Sequence, residues 1–178
     1  MQPAPLPSLS IEALQEHHDR TSFGSGVIEL DRYLYSQAGQ DAKRRVAAPF
    51  VLLNKKTIIS YYTLSAYGIR LADLPAEAIK RMPKYPVLPA TLLGRLAVSQ
   101  DRQGQKLGQF MLIDALRRSL ENTHEIGSIG VVVNAYNESA ERFYLHHEFT
   151  PLPGQTRKLF LAMATIKKLF PRLPEHGQ

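Results

Sequence analysis

Apolar residues in this chain recur at the spacing of strands in some segments and at the spacing of helices in others. Residues 48–53 and 57–66 are rich in apolar and β-branched residues, and they flank the polar turn 54–56. This arrangement predicts a β-hairpin. The remaining segments predict strands over residues 90–98, 128–133 and 159–166, and helices over residues 24–43, 74–81, 107–121 and 138–146.

The order of these elements predicts an α/β fold in which helices flank a mixed sheet. Residues 90–133 read strand, helix, strand, which predicts a right-handed βαβ crossover with parallel strands. Residues 1–10 are proline-rich and predict a flexible N-terminus, and residues 171–178 predict a loose tail. Because the chain has 178 residues and no recognisable linker, we expect a single domain over residues 11–170.

Two of the predicted elements carry specific expectations about burial. Tyr61 and Tyr62 are neighbours in a strand and point to opposite faces, so we expect one in the core and one exposed. The helix over residues 107–121 is expected to bury an apolar face formed by Phe110, Met111, Ile113, Leu116 and Leu120.

The composition excludes several kinds of chemistry. The chain has no cysteine, which excludes disulfides, thiolate metal sites and a cysteine nucleophile. It has no apolar run long enough for a bilayer and no signal-peptide pattern, so we expect a cytoplasmic protein without membrane attachment. The pairs His17-His18 and His146-His147 lack a third ligand at a recognisable spacing. We therefore expect them at the surface, and we expect no metal.

The charge favours an anionic partner. The net charge is +6 and the isoelectric point is about 9.6, which suits a polyphosphate cofactor, a nucleic acid or an acidic protein. The positive residues cluster in the stretches 43–45, 55–56 and 80–84. A basic but merely solvated surface is the alternative interpretation.

Residues 103–108, Gln-Gly-Gln-Lys-Leu-Gly, lie between a predicted strand and a predicted helix. The unpaired amides at a helix start suit a phosphate group. Gly104 allows close backbone approach, Gly108 allows tight packing of the first turn, and Arg102 and Lys106 add positive charge. The segment matches neither the loop of nucleotide triphosphatases nor the dinucleotide fingerprint. A polyphosphate site is one interpretation, and a polar turn is the other.

Asn137, Ala140 and Tyr144 follow at the spacing of one helical face. Ala140 is small, so a ligand could lie close to this face. The phenol of Tyr144, with an ordinary pKa of about 10, could protonate a thiolate with a pKa of about 8.5 if placement or neighbouring groups compensate for the difference. A core tyrosine with its hydroxyl bonded at the rim is the alternative.

Together, the loop and the segment Asn137-x-x-Ala140-x-x-Phe143-Tyr144 resemble the GNAT family of N-acetyltransferases. The resemblance implies the GNAT fold, a central mixed sheet with splayed parallel strands flanked by helices, and acetyl-CoA as the acetyl donor. It also implies that the strand before the loop pairs with the pantetheine arm. The residues implied in cofactor binding are Leu96, Ala97, Val98, Gln103, Gly104, Gln105, Lys106, Leu107, Gly108, Asn137 and Ala140.

Residues 23–34, 60–65 and 92–98 are similar to toxins of type II toxin–antitoxin pairs that acetylate aminoacyl-tRNA. This narrower resemblance implies that Tyr144 is the general acid, that acetylation of the α-amino group blocks translation, and that the toxin is a homodimer. It further implies a small DNA-binding antitoxin, often of the ribbon-helix-helix type. The residues expected to bind tRNA are Lys43, Arg44, Arg45, Arg81, Lys84 and Arg95.

Two positions depart from the family pattern. Lys106 replaces a usual glycine, so its side chain disfavours a positive φ and crowds the pyrophosphate, although its ammonium could contact a phosphate. We expect cofactor binding to be weakened but retained. Glu148 occupies a position where glycine often ends a helix, which affects the local backbone more than the chemistry.

The acceptor is inferred from its basicity. An α-amino group titrates near pH 8, whereas a lysine amine titrates near about 10.4 and would need a base, which no motif supplies. An aminoacyl-tRNA acceptor is therefore favoured. The alternatives are the same fold acetylating a protein lysine or a small-molecule amine, and a non-catalytic RNA- or protein-binding module. Arg95 could face the substrate or satisfy a buried carboxylate.

Overall fold

The computed structural model describes residues 8–173, and within them the strands form one mixed seven-stranded sheet in the order β1-β2-β3-β4-β5-β7-β6. The strands are β1 (Leu9–Ala13), β2 (Ala48–Asn54), β3 (Thr57–Arg70), β4 (Val87–Val98), β5 (Gly130–Asn134), β6 (Thr150–Pro151) and β7 (Lys158–Ala162). The helices are α1 (Ile28–Arg32), α2 (Ala38–Arg44), α3 (Ala76–Ile79), α4 (Leu107–Asn122), α5 (Glu138–His146) and α6 (Met163–Leu169). The predicted mixed α/β class is confirmed.

Close contacts group the described residues into two compact units. The first unit contains the described residues up to Ser65 together with Arg95–Ile113, and the second contains Ala66–Gly94 and the described residues from Asp114 onward. Strands β3 and β4 and helix α4 each contribute residues to both units.

The first unit is built on the predicted hairpin. β2 and β3 pair antiparallel and are joined through the turn at Lys55 and Lys56, and β1 pairs antiparallel with the other edge of β2. α1, a π-helical stretch (Tyr33–Gln37) and α2 follow one another without a break. Apolar side chains from these elements pack into one core that includes Leu14, Phe23, Tyr33, Leu34, Ala38, Val51, Leu53, Ile58, Tyr61 and Ala97.

Several expectations about this unit were wrong. Leu9 and Ser10 lie in β1, within the segment expected to be flexible, because their backbone pairs with β2; residues 1–7 lie outside the described range. Tyr61 and Tyr62 are both buried at 0% exposure. Tyr61 joins the core above, whereas Tyr62 stacks on Phe50 at 5.2 Å between ring centroids, so both faces of β3 are covered here.

The predicted helix over residues 24–43 begins later, at Ile28, because Gly26 has a φ of 87°, which no helix accommodates. His18 is also buried rather than exposed, with 7% of its surface accessible. Its Nδ1 accepts a hydrogen bond from the Gln15 amide at 3.0 Å, so the side chain closes the turn after β1.

The second unit contains the parallel pair. Thr91, Leu92 and Leu93 of β4 pair with the stretch 131–133 of β5, and this confirms the expected strand, helix, strand order with parallel strands. The ladder ends at Leu93, whereas β4 continues to Val98. β7 pairs antiparallel with both β5 and β6. The core of this unit includes Ile69, Leu74, Leu88, Ala90, Val132, Leu152 and Phe160.

The apolar face of α4 was predicted only in part. Met111, Leu116 and Leu120 are buried as expected, but Phe110 is 49% and Ile113 36% exposed. The buried stripe instead runs through Leu112, Ala115 and Ser119, which lie between the correctly predicted positions on the helix.

The last predicted strand, over residues 159–166, was also wrong in its second half. β7 ends at Ala162, and Met163 starts α6 with its amide bonded to the Ile129 carbonyl at 2.8 Å. Ile166 is buried at 0% exposure on the face of this helix. Of the predicted tail, residues 171–173 form a turn, and the remaining residues lie outside the described range.

Candidate active site

The loop before α4 is held by its own first residue. The Gln103 side-chain amide donates to the Ser25 carbonyl at 3.0 Å and to the Val98 carbonyl at 3.1 Å. The Ser99 amide donates to Ile59 and the Gln100 amide donates to Gly24. The Gln103 side chain therefore fixes the loop through two carbonyls of the protein, and its backbone amide donates to the Gln100 carbonyl at 3.4 Å.

Two residues of the loop have left-handed backbones. Gly104 has a φ of 80°, with no atom within 4 Å of the position a Cβ would occupy, and Lys106 has a φ of 60°. The Phe110 amide makes a helical bond to the Lys106 carbonyl, so the amides of Leu107 to Gln109 form the first turn of α4. Amides in this position have no partner within the helix and can bind an anion.

The end of β4 is ordered by side chains. The Ser60 hydroxyl, at 0% exposure, donates to the Ala97 carbonyl at 2.7 Å, and Gln103 occupies the Val98 carbonyl. Leu96 is half-buried, and Ala97 belongs to the core of the first unit. The backbone of the stretch 96–98 is thus rigidly placed before the loop.

In the second unit, α5 starts at a side-chain cap. Asn137 is the N-cap residue, and its Oδ1 accepts a hydrogen bond from the Ala140 amide at 2.9 Å. Such a cap stabilises a helix by about 1 kcal/mol. Asn137 is exposed and Ala140 is half-buried, and the cap accounts for Asn137 without a ligand.

Tyr144 is almost completely buried, with 5% of its surface accessible. Its ring packs edge-on against Phe149 at 5.3 Å and against Phe143 at 5.2 Å between centroids. Burial raises the pKa of the phenol, and no neighbouring charge opposes that shift. The phenol therefore stays protonated at physiological pH, as a general acid must, but nothing in its surroundings increases its acidity.

Arg95 lies on an aromatic ring. Its guanidinium carbon is 3.5 Å from the centroid of Tyr33, a cation–π arrangement. The Tyr33 hydroxyl donates to Asp41 at 2.9 Å, and the pKa of Tyr33 is raised to about 12, mainly by burial and by this bond. Arg95 forms no ion pair within the described residues, and its charge helps to lower the pKa of Asp41.

The other basic residues expected to contact tRNA are exposed. Lys43 and Arg44 lie in the last turn of α2, where Lys43 pairs with Glu16 at 2.5 Å, and Arg45 caps that helix with a φ of 59°. These residues belong to the first unit together with Arg95, whereas Arg81 and Lys84 belong to the second.

Sequence reasoning missed three residues of the first unit. Ser60 lies within one of the family-like stretches but received no role, and Ser25 and Tyr33 acquire theirs only through partners distant in sequence. No local spacing identifies such pairs. A buried serine in a strand of large apolar residues is the single signal that could have drawn attention to Ser60.

Residues 8–173 contain no group of three or more histidine, aspartate or glutamate side chains that could hold a metal ion. No helix in the same range is long and apolar enough to cross a bilayer.

Known proteins of similar sequence share this architecture. No family model matches the chain. A protein of Mycobacterium tuberculosis named "tRNA-acetylating toxin" is 33% identical over 156 residues, covering 88% of this chain and 93% of the relative. A protein of Sinorhizobium fredii named "Probable toxin TacT" is 28% identical over 161 residues, covering 85% and 89%.

Solved structures agree with the sequence matches. A tyrosine-to-phenylalanine mutant of KacT superposes with a TM-score of 0.86 at 27% identity, over 91% of this chain and 99% of that one. AtaT complexed with acetyl-methionyl-tRNA superposes with a TM-score of 0.85 at 28% identity, again over 91% and 99%. The fold is therefore that of a GNAT-type acetyltransferase.

Within that class the sequence similarity is specific. The identity of 33% over almost the full length of both chains places this chain in the family of tRNA-acetylating toxins, which are acetyl-CoA-dependent acetyltransferases.

Proposed function

We propose that this chain transfers the acetyl group of acetyl-CoA to the α-amino group of aminoacyl-tRNA and so blocks translation. The observation that carries the proposal is the 33% identity to a tRNA-acetylating toxin. The AtaT complex with acetyl-methionyl-tRNA, at a TM-score of 0.85, supports the same acceptor class. An N-acetylated aminoacyl-tRNA has lost the nucleophilic amine that peptide elongation requires.

In this proposal, the first unit supplies the binding site for the cofactor's pyrophosphate. The first-turn amides of α4 and the left-handed loop at Gly104 and Lys106 present N–H groups, as anion sites do. The proposed cofactor residues are the backbone of Leu96, Ala97 and Val98, the loop Gln103, Gly104, Gln105, Lys106, Leu107 and Gly108, and the helix residues Asn137 and Ala140. Acetyl-CoA complexes of AtaT support this class of donor.

The proposed reaction is direct transfer. The neutral amine nitrogen attacks the thioester carbonyl carbon, a C–N bond forms, and the oxyanion is held by backbone amides near Leu96 to Val98. The C–S bond then breaks and Tyr144 gives its phenolic proton to the departing sulfur. The proton that the amine loses returns through solvent to the Tyr144 phenolate, so that the products are the amide and the free thiol of coenzyme A. Raising of the Tyr144 pKa by burial keeps that proton in place before the reaction.

The tRNA contacts are proposed from the charge of exposed residues, and the antitoxin is proposed from the complexes of similar proteins. Arg95, stacked on Tyr33, and the exposed Lys43, Arg44, Arg45, Arg81 and Lys84 are proposed tRNA contacts, because their charge suits a phosphate backbone. AtaT and KacT have been solved with an antitoxin and with DNA. We propose a ribbon-helix-helix antitoxin for this chain, a homodimeric state and a cytoplasmic location.

The test compares the parent with Tyr144→Phe. We expect the variant to keep a thermal shift with acetyl-CoA, because the ring remains, and to lose most of its turnover on charged tRNA, because the proton is gone. Ligand at about a hundred times its Kd adds roughly 2.7 kcal/mol to the stability of either protein. Equal turnover of the two proteins would remove Tyr144 from the mechanism.

The acceptors in that assay separate the competing functions. Charged tRNA, uncharged tRNA, a lysine peptide and a polyamine are each offered with acetyl-CoA. Acetylation of the peptide or the polyamine in preference to charged tRNA would favour the alternative acceptor, and the absence of any acetyl-CoA thermal shift would favour a non-catalytic module.

A further inference from the structure

We propose that a cavity beside α2 is a phosphate site, in which the guanidinium of Arg20 binds a backbone phosphodiester of the tRNA. The cavity has a volume of about 750 Å³, and its lining includes Gln15, Glu16, Arg20, Gly39, Gln40 and Lys43. All of these residues belong to the first unit. The identity of the ligand rests on the proposed function, whereas the anion site itself rests on the geometry below.

Arg20 lacks the partners that a guanidinium normally has. Its Nε is buried and has no hydrogen-bond partner within residues 8–173, and its one terminal bond, to the Gln15 carbonyl, is long at 3.5 Å. No salt bridge of Arg20 is found in the same range. A buried donor without an acceptor is costly, so a ligand oxygen at this position would be favourable.

The neighbouring helix makes room for this guanidinium. A Cβ at Gly39 would lie 2.8 Å from one terminal nitrogen of Arg20 and 3.4 Å from its central carbon. Glycine within a helix is about 1 kcal/mol less favourable than alanine. α2 therefore carries an unfavourable residue at the point where the arginine lies against it.

The charge around the cavity favours an anion. Lys43 is paired with Glu16 at 2.5 Å, and that contact lowers the pKa of the Glu16 carboxyl, so these two charges offset each other. Arg20 forms no salt bridge within residues 8–173, although its charge also contributes to the low pKa of the Glu16 carboxyl. Its planar fork of donors matches two oxygens of a phosphate at once.

A phosphodiester fits better than the carboxylate of an acidic protein segment. Lys43 lines the cavity, and Arg44 and Arg45 follow it on the exposed end of α2. An uninterrupted basic run beside the cavity suits a nucleic-acid backbone, which presents phosphates at regular intervals. An acidic peptide is therefore treated as an outcome of the test.

The test is Gly39→Ala, which pushes the guanidinium away while leaving Arg20 in the chain. Because the end of the Arg20 side chain is flexible and alanine is more favourable than glycine within a helix, we expect the denaturation midpoint of Gly39→Ala to be unchanged or higher. The Kd for charged tRNA, measured by fluorescence anisotropy, should rise about tenfold, and the slope of log Kd against log salt should fall by about one. Arg20→Gln should produce the same two changes.

The matched control is Gly127→Ala, since a Cβ at Gly127, unlike one at Gly39, would have no atom within 4 Å, and Gly127 does not line the cavity. This variant should bind tRNA as the parent does. Unchanged tRNA affinity and salt slope in Gly39→Ala and Arg20→Gln would overturn the proposal. Weakened binding of the antitoxin with unchanged tRNA binding would also overturn it and would assign the cavity to a protein partner.

Binding is measured apart from acetylation so that the two proposals fail separately. A parent protein that binds tRNA through Arg20 but does not acetylate it would contradict the proposed function and leave the phosphate site standing. If Gly39→Ala and Arg20→Gln acetylate charged tRNA as well as the parent does and bind it with an unchanged Kd, the phosphate site is contradicted and the proposed function stands.

Discussion

At the scale of single residues, Tyr144, the proposed general acid, is constrained by its burial. The sequence left open whether neighbouring groups lower the pKa of the Tyr144 phenol. In the structure, burial causes the shift, and it raises the pKa. Transfer of this proton to a thiolate is thus more unfavourable before the cofactor arrives than in solution. The reaction must gain its driving force from placement against the sulfur.

The raised pKa leads to a prediction about the pH dependence of acetyl transfer. Burial raises the pKa of Tyr144 above its ordinary value of about 10, so the phenol stays protonated up to about pH 10 and causes no loss of activity in that range. The acceptor amine, with a pKa of about 8, must be neutral to attack. We expect kcat/KM for charged tRNA to rise with pH to about 8 and then stay level to about 10.

The residual activity of Tyr144→Phe provides the control for this profile, because it should show the same rise from the same amine. A fall in kcat/KM between about pH 8 and 10 that is present in the parent and missing in the variant would contradict the raised pKa.

Lys106 shows how far one residue can depart from its preferred backbone. Its side chain was expected to disfavour a positive φ, yet its φ is 60°. The left-handed conformation costs an ordinary residue about 1–2 kcal/mol. The surrounding loop, held by Gln103 and by the start of α4, imposes the conformation all the same.

At the scale of elements, the end of α5 also holds a residue other than glycine in a left-handed backbone conformation. Glu148 has a φ of 68° and occupies the glycine position of a Schellman motif. The Phe149 amide donates to the Tyr144 carbonyl at 3.1 Å, and the Glu148 amide donates to Leu145 at 3.2 Å. The ring of Phe149 also packs on Tyr144. The end of the helix therefore helps to hold the proposed general acid.

This geometry predicts that Glu148→Gly stabilises the protein. Glycine adopts the left-handed backbone without a Cβ penalty, so the free energy of unfolding should rise by about 1 kcal/mol in urea titrations. His146→Gly is the matched control: it lies two residues earlier, in the last helical turn, and should lower stability by about 1 kcal/mol. A loss of stability in Glu148→Gly would contradict the assignment of the motif.

The elements that were predicted well are those with a strong local pattern. β2, α4 and α5 were found within one residue at each end because their periodicity, turn and capping residues act within a few positions. β3 starts at the predicted residue but extends to Arg70, four residues beyond the predicted end. Residues 159–166 were assigned wrongly because the run Leu159-Phe-Leu-Ala-Met suits either a buried strand or a buried helix. The bond from Met163 to Ile129, distant in sequence, marks where strand becomes helix.

At the scale of the whole molecule, three buried tyrosines link stability to alkaline pH. Burial is the largest cause that raises the pKa of Tyr33, to about 12, and those of Tyr61 and Tyr144 above their usual range. A group with a raised pKa in the folded state binds its proton more tightly there. Its stabilising effect is present below the unfolded pKa of about 10 and is lost as pH rises above it.

We therefore expect the free energy of unfolding to fall above about pH 10, by up to about 1.4 kcal/mol per pH unit for each of these tyrosines. Urea denaturation from about pH 8 to about pH 11 measures the loss. Tyr61→Phe should reduce the slope of the free energy of unfolding against pH by the contribution of about one proton. Tyr35→Phe, which removes an exposed hydroxyl, should leave that slope unchanged. An identical slope in the parent and in Tyr61→Phe would refute the linkage.

The two proposed sites differ in how much of each could be predicted from the sequence. The loop 103–108 and the segment 137–144 are contiguous, and their composition alone indicated phosphate chemistry and a phenol. The single domain over residues 11–170 and the site assignments stay predictions. Arg95 contacts Tyr33, 62 positions away in the sequence, and Arg20 lies against Gly39, 19 positions away. No local sequence pattern predicts either contact.

Local interactions were enough to specify the mixed α/β class, the main elements and the family, because periodicity, caps and contiguous motifs act over short stretches of chain. Burial of both Tyr61 and Tyr62, the rise in the Tyr144 pKa and the burial of the Arg20 Nε without an acceptor in the described residues arose only on folding. Desolvation and hydrogen-bond partners depend on which distant segments come together, and that is a property of the packed chain.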